Sequence, residues 1–268
     1  MLKRFNILFS MFVLVLLFGC SNPNSSSEEE NYENTESKEK VELTVSAAAS
    51  LQDALTEIKE NYEKKHTNID LTFNFGSSGA LKQQIEQGAP VDLFFSAAED
   101  KFDELVQKDE IDTNQGVDLV GNELVLIVPK DSENTIADFT DLTTQADKLA
   151  MGTPESVPAG KYAKQTLENL KLWDSLHNKV VYAKDVRQVL SYVETGNVNA
   201  GIVYKTDALI SDKVKIVATA DKSTHDPIIY PVGVIKDTKH SEEATEFYEY
   251  LQGKEALDLL KQYGFTAK

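Results

Sequence analysis

The sequence predicts an α/β protein of two lobes, each a mixed, mostly parallel sheet flanked by helices, with a cleft between them. Three observations carry this reading. Strand-like and helix-like runs alternate from residue 41 onward. A second apolar series starts at Leu124-Val125-Leu126-Ile127-Val128. Late in the chain the apolar run Ile228 to Ile235 encloses a proline and precedes two helical stretches, so it reads as a segment returning to the first lobe. The implied boundaries put lobe 1 at residues 41–120 plus 231–268 and lobe 2 at 121–230.

Residues 1–19 carry Lys3 and Arg4 ahead of an apolar run from about Phe5 to Phe18, the pattern of an export signal too short to span comfortably as a mature helix. The sequence Leu17-Phe18-Gly19-Cys20 resembles the bacterial lipoprotein signal, in which Cys20 would become the lipid-modified first residue. Cys20 is the only cysteine, so no intramolecular disulfide forms and its position points to lipid attachment. The stretch 20–40 is polar, acidic and nearly free of apolar side chains, which reads as a disordered tether between lipid and folded domain.

The formal net charge is −17, and removal of residues 1–19 takes away Lys3 and Arg4 but no acid. That argues against nucleic acid as a partner. It does not exclude a small anion, because salt screens distant charge over about 8 Å whereas donors in a closed cleft act at contact.

In order along the chain, Val41 to Ala47 reads as a strand, and Leu51, Leu55, Ile58 and Tyr62 follow at helical spacing. The spacing Ser50-x-x-Asp53 is that of a capping box and predicts a helix start at Ser50. Ile69, Leu71, Phe73 and Phe75 alternate as one face of a second strand, which ends in Gly76-Ser77-Ser78-Gly79. Leu81 and Ile85 continue a short helix closed by Gly88, and a buried strand covers Asp92 to Ser96. Each of the first two strands therefore runs into a serine-led helix start, where hydroxyls and backbone amides face outward and the helix dipole favours an anion. In parallel sheets ligands sit at such strand ends. In the second lobe Lys148 to Met151, Val180 to Tyr182 and Ala200 to Tyr204 read as strands. Helices start at Val157-Pro158-Ala159 and at Asp185-Val186-Arg187, with buried stripes at Ala163, Leu167, Leu170 and at Val186, Val189, Leu190, Val193.

Seven segments in this order resemble the molybdate-binding proteins of ABC transporters, a branch of the periplasmic-type solute-binding proteins. They are Ala47-Ala48-Ala49-Ser50-Leu51, Phe75-x-Ser77-Ser78, Gly88-Ala89-Pro90-x-Asp92-Leu93-Phe94, Val157-Pro158-Ala159-Gly160-x-Tyr162-Ala163, Asp185-Val186-Arg187, Gly201-Ile202-Val203-Tyr204 and Tyr263-Gly264-Phe265. The resemblance covers residues 41–268 and implies a two-lobed periplasmic-binding-protein fold. It also implies capture of molybdate or tungstate for a permease and its ATPase subunit, by a monomer without a further cofactor. The oxyanion would take hydrogen bonds from Ser50, Ser78, Ala159, Val186 and Tyr204, with no direct protein–metal bond. Ser77 stands as an alternative to Ser78. Arg187, the sole arginine after the export segment, is a further candidate, with pairing to a carboxylate or a role in lobe closure as the other reading.

Serine hydroxyls, amides and a neutral tyrosine all donate, and none needs a proton from the ligand. Such a set suits a fully deprotonated dianion and leaves the proton of hydrogen phosphate facing another donor. Sulfate is not rejected this way, so a sulfate or other tetrahedral oxyanion-binding protein is the alternative. A secreted serine hydrolase is the rival from another class, but the G-x-S-x-G spacing is absent and His66, His177, His225 and His240 lie in no recognisable base context. The chain is therefore expected not to be an enzyme.

Overall fold

A computed structural model describes residues 39–133 and 135–268; the export segment, Cys20 and the tether up to residue 38 lie outside the described residues. The first part of the chain forms β1 (Val41–Ala48), α1 (Gln52–Glu63), β2 (Ile69–Gly76), α2 (Ser78–Glu86), β3 (Leu93–Phe95), α3 (Glu99–Gln107) and β4 (Ile111–Gly121). It continues through β5 (Leu124–Pro129), α4 (Leu142–Gln145), β6 (Leu149–Gly152), α5 (Pro158–Asn169), α6 (Trp173–Leu176), β7 (Val180–Ala183), α7 (Val186–Glu194) and β8 (Ala200–Tyr204). The last elements are α8 (Lys205–Leu209), β9 (Val214–Thr219), β10 (Ile229–Ile235), α9 (Ser241–Gln252), α10 (Lys254–Gln262) and β11 (Thr266–Ala267).

Apolar periodicity accounts for the main elements. α1 buries Ala54, Leu55, Ile58 and Tyr62, and α7 buries Val186, Val189, Leu190 and Val193, each a single helical stripe against a sheet. Gly88, at φ 83°, ends α2, with its amide donating to Ile85 and the Ala89 amide to Gln84.

Two sheets result, in the orders β11-β4-β10-β3-β1-β2 and β7-β6-β8-β5-β9. β1 runs parallel to β2 and β3, and β6 runs parallel to β7 and β8. The other ladders are antiparallel. The sheets are mixed, flanked by helices, but not mostly parallel as the strand–helix alternation predicts. The cause is a double crossing between sheets. β4 leaves the first sheet and enters β5 after only Asn122 and Glu123, while β10 returns beside β4 with Tyr230 opposite Val120. An outgoing and a returning strand that lie side by side have to be antiparallel.

The parallel strands β1, β2 and β3 end at one edge of the first sheet, and β6, β7 and β8 do so in the second. α5 starts close against the end of β6. A Cβ on Gly160 would lie 2.1 Å from the Gly152 carbonyl oxygen, so glycine alone permits this approach. Gly160→Ala is expected to push α5 off the sheet at a cost of about 1–3 kcal/mol. A lower urea midpoint at unchanged m value would register it; an unaltered midpoint would show that α5 is not held there.

Candidate oxyanion-binding site

Register brings the first-sheet residues together. Ala47 of β1 lies opposite Phe75 of β2 and Phe95 of β3, so the segments carrying Ser50, Ser77-Ser78 and Ser96-Ala97 emerge from one edge. Ser50 is buried inside a 3-10 turn, Ala49–Leu51, between β1 and α1. It does not cap α1, contrary to the capping-box spacing: the helix begins at Gln52 with no side-chain cap. Tertiary partners displace the local ones, because the Ser50 hydroxyl bonds Tyr230 Oη at 2.9 Å and Asp53 is engaged by Arg187.

Ser77 is the N-cap of α2 in extended backbone, yet its side chain makes no capping bond, and Ser78 is the first helical residue. Both are buried. Ser78 Oγ accepts the Ala97 amide at 2.9 Å, which leaves its own hydrogen to be donated.

From the second sheet come two helix starts and a tyrosine. Ala159 is the second residue of α5, which opens on Pro158. Val186 opens α7, capped by Asp185, whose carboxylate accepts the Gln188 amide at 2.8 Å. First-turn amides have no acceptor within their helix, and the dipole adds partial positive charge there. Tyr204 ends β8, buried, with its hydroxyl donating to the Ala97 carbonyl at 3.4 Å and its ring edge-on to Tyr230 at 5.7 Å. Burial, reinforced by the neighbouring Tyr230, raises the Tyr204 pKa well above the ordinary phenol value, so the hydroxyl stays protonated and a donor.

The two sheets' strand ends meet directly. The Gly79 amide donates to the Ser156 carbonyl at 3.0 Å, and Lys161 Nζ lies 3.3 Å from Asp100 Oδ2. Arg187 bridges Asp53, at the start of α1, to the buried Asp207 of α8. Its Nε is 2.8 Å from Asp207 Oδ1 but without hydrogen-bond alignment, so that contact is Coulombic. Burial lifts the Asp207 carboxyl to about 7, against the pull of Arg187. Asp92, at the opposite end of β3, accepts the Thr44 amide at 2.7 Å and the Thr238 hydroxyl.

Ser50, Ser78 and Tyr204 are thus joined through Tyr230 and Ala97, with the starts of α5 and α7 held against the same edge by Gly79–Ser156 and Asp53–Arg187. Two members of this network carry no signal in the sequence. Tyr230 reads there only as part of the returning apolar run, and Asn122 belongs to no motif. Yet Asn122 Nδ2 donates to Tyr230 Oη at 3.1 Å and to Thr206 Oγ1 at 2.9 Å. Among the described residues no group of three or more His, Cys, Asp or Glu could hold a metal ion.

A family model described as bacterial extracellular solute-binding protein matches residues 43–266. A Bacillus subtilis protein whose name includes the words "ABC transporter substrate-binding lipoprotein YvgL" is 56% identical over 100% of both chains. The molybdate-binding protein ModA of Escherichia coli is 43% identical, covering 84% of this chain and 89% of its own. In fold, the chain is similar to the periplasmic molybdate-binding protein of Azotobacter vinelandii, with a TM-score of 0.76 at 24% identity over 84% of this chain and 99% of that one. Matched along nearly all of its described length, and with a molybdate-binding relative above 40% identity, this chain belongs to the bacterial extracellular solute-binding protein family.

Proposed function

We propose that the chain captures molybdate or tungstate outside the plasma membrane and presents it to the permease of an ABC transporter, which an ATPase subunit drives. The observation that carries this reading is the chemistry of the group of residues at the meeting strand ends: two serine hydroxyls, a tyrosine kept protonated by burial, and two helix starts. Ser50, Ser78, Ala159, Val186 and Tyr204 supply the donors, the Tyr204 hydroxyl exchanging its long 3.4 Å bond to the Ala97 carbonyl for one to the anion. Ser78 is preferred to Ser77 because it already accepts from the Ala97 amide and so has its own hydrogen left to donate. Arg187 is left to its two carboxylates and does not touch the ligand.

Each lobe contributes part of the donor set, so the anion meets all of it only when the lobes close. Ligand therefore shifts the population toward the closed form, and the permease releases it by favouring the open one. No described helix is long and apolar enough to cross a membrane. A lipid on Cys20, with residues 20–40 as its tether, would supply the membrane attachment; the YvgL relative's name contains the word lipoprotein.

Calorimetric titration with molybdate, tungstate, sulfate and phosphate tests the reading. Tight binding of the first two is expected, and absent or millimolar binding would remove it, while a preference for sulfate would make this a sulfate-binding protein. Ser50→Ala is expected to cost about 1.5–3 kcal/mol of molybdate affinity. Closure has its own test at Gly79, where an added Cβ would lie 2.7 Å from the Ser156 carbonyl oxygen. Gly79→Ala should lose about 1–3 kcal/mol of affinity without lowering the melting temperature of the ligand-free protein; equal affinity would mean that this contact is not part of closure. Cys20→Ala should move the protein from the membrane to the soluble fraction, and retention on membranes would point to a different anchor.

A further inference from the structure

Resting on the oxyanion reading above, we propose that Tyr230, directed by Asn122, fixes the Ser50 hydroxyl as a donor and so determines specificity against oxyanions that carry a proton. The argument follows hydrogen-bond polarity along one buried chain. The Glu123 amide donates to Asn122 Oδ1 at 2.9 Å, which fixes the orientation of that side chain. Asn122 Nδ2 then gives its two hydrogens to Thr206 Oγ1 at 2.9 Å and to Tyr230 Oη at 3.1 Å. Tyr230 Oη is therefore an acceptor toward Asn122 and needs an acceptor for its own hydrogen. Ser50 Oγ lies at 2.9 Å, and the Tyr204 hydroxyl beside it, which also interacts with Tyr230, directs its own hydrogen to the Ala97 carbonyl. Leaving a buried hydroxyl hydrogen unpaired is unfavourable, so Tyr230 donates to Ser50. With Tyr230 donating to it, Ser50 cannot spend its own hydrogen on Tyr230 and turns it to the ligand.

Tyr230 cannot swing away from this duty. It is fully buried, with its ring held edge-on by Tyr204 at 5.7 Å and Phe265 at 5.3 Å. Ser78 is held in the same sense by the Ala97 amide. The difference is that Ser78 is set by backbone and Ser50 by side chains, so substitution can reverse the polarity of Ser50 alone. Hydrogen phosphate and hydrogen arsenate each present an O–H that needs an acceptor, whereas molybdate and sulfate present none.

The test is competitive titration of the full chain and two variants at pH 7.5 with molybdate, sulfate, hydrogen phosphate and hydrogen arsenate. Tyr230→Phe frees the acceptor side of Ser50. The molybdate-to-hydrogen-arsenate affinity ratio is expected to fall about tenfold, with the molybdate-to-sulfate ratio unchanged because neither anion carries a proton. Asn122→Asp keeps the ring but offers Tyr230 a carboxylate to donate to, so Ser50 donates to Tyr230 and faces the ligand as an acceptor. The same ratio should fall in that variant, which covers the case of a poorly folded Phe protein. Equal weakening of all four anions would mean that Tyr230 acts only by packing, and would overturn the proposal. So would unchanged ratios in both variants, the result expected if Tyr230 pointed its hydrogen at Tyr204 instead. Failure of the wild-type chain to bind any of the four removes the oxyanion reading and this inference with it; wild-type binding with unshifted variant ratios removes the Tyr230 role alone.

Discussion

The register of β1 against its two parallel neighbours is the constraint from which the candidate site follows. With Ala47 level with both Phe75 and Phe95, three chain segments leave the first sheet at one height. Ser50 then lies within reach of Tyr230, and Ser78 within reach of the Ala97 amide. A slip of one residue in either ladder would move every side chain of that strand to the other face. It would bury the charged and polar side chains of β2, whose exposed Asp70 and Thr72 alternate with the buried Ile69 and Leu71. The apolar alternation that builds the core therefore also positions the serines, and no separate device is needed to aim them.

Charge works differently here from what the composition suggests. A chain with formal net charge −17 holds a single arginine beyond its export segment, and that guanidinium lies between Asp53 and Asp207. Removing Asp207 from water raises its pKa, and Arg187 is what makes a carboxylate at that place tolerable. The cation next to the candidate site is thus engaged by the protein's own acids. What remains for an anion is dipolar: hydroxyls and helix-start amides, short in range and strongest where water is excluded. Such donors recognise shape and protonation more sharply than a mobile cation does, because each has one direction in which it can donate.

Elements whose stabilisation is local were legible in the sequence, and elements whose partners are distant were not. Pro158 at the first turn of α5, Gly88 after α2 and the apolar stripe of α7 act within a few residues of themselves, and all three appear where the spacing puts them. β4 was not legible, since Ile111 to Gly121 is largely polar with a glycine at 116 and becomes a strand only because β10 lies along it. β9 does alternate Val214, Ile216, Ala218, but it is a short edge strand with little burial to mark it. The candidate site divides in the same way. Its serines and helix starts carry motifs, whereas the Ser50–Tyr230 bond joins residues 180 apart and leaves no local trace. The capping-box reading of Ser50 failed for that reason, because a buried long-range partner prevailed over a helix cap of about 1 kcal/mol.

The contacts between the strand ends also bear on the closure proposed above. Asp53 is 41% exposed and Lys161 is 32% exposed, so the pairs Asp53–Arg187 and Asp100–Lys161 are screened and each adds only about 0–1 kcal/mol. Gly79 to Ser156 is one backbone hydrogen bond, worth about 1 kcal/mol net. Together these three rim contacts amount to a few kcal/mol at most, beside the buried Tyr204–Ala97 bond and the Tyr204–Tyr230 ring contact that also join the two sheets. A balance of this size suits a binding protein. A ligand has to bind the favoured form about 10⁴-fold more tightly to take a two-state equilibrium from mostly one form to mostly the other. Donors split between the halves provide such a difference, since an open form offers the anion only one set. In the closure proposed above, the ligand adds the bonds of its donors to these rim contacts and exchanges the buried Tyr204–Ala97 bond for one of its own.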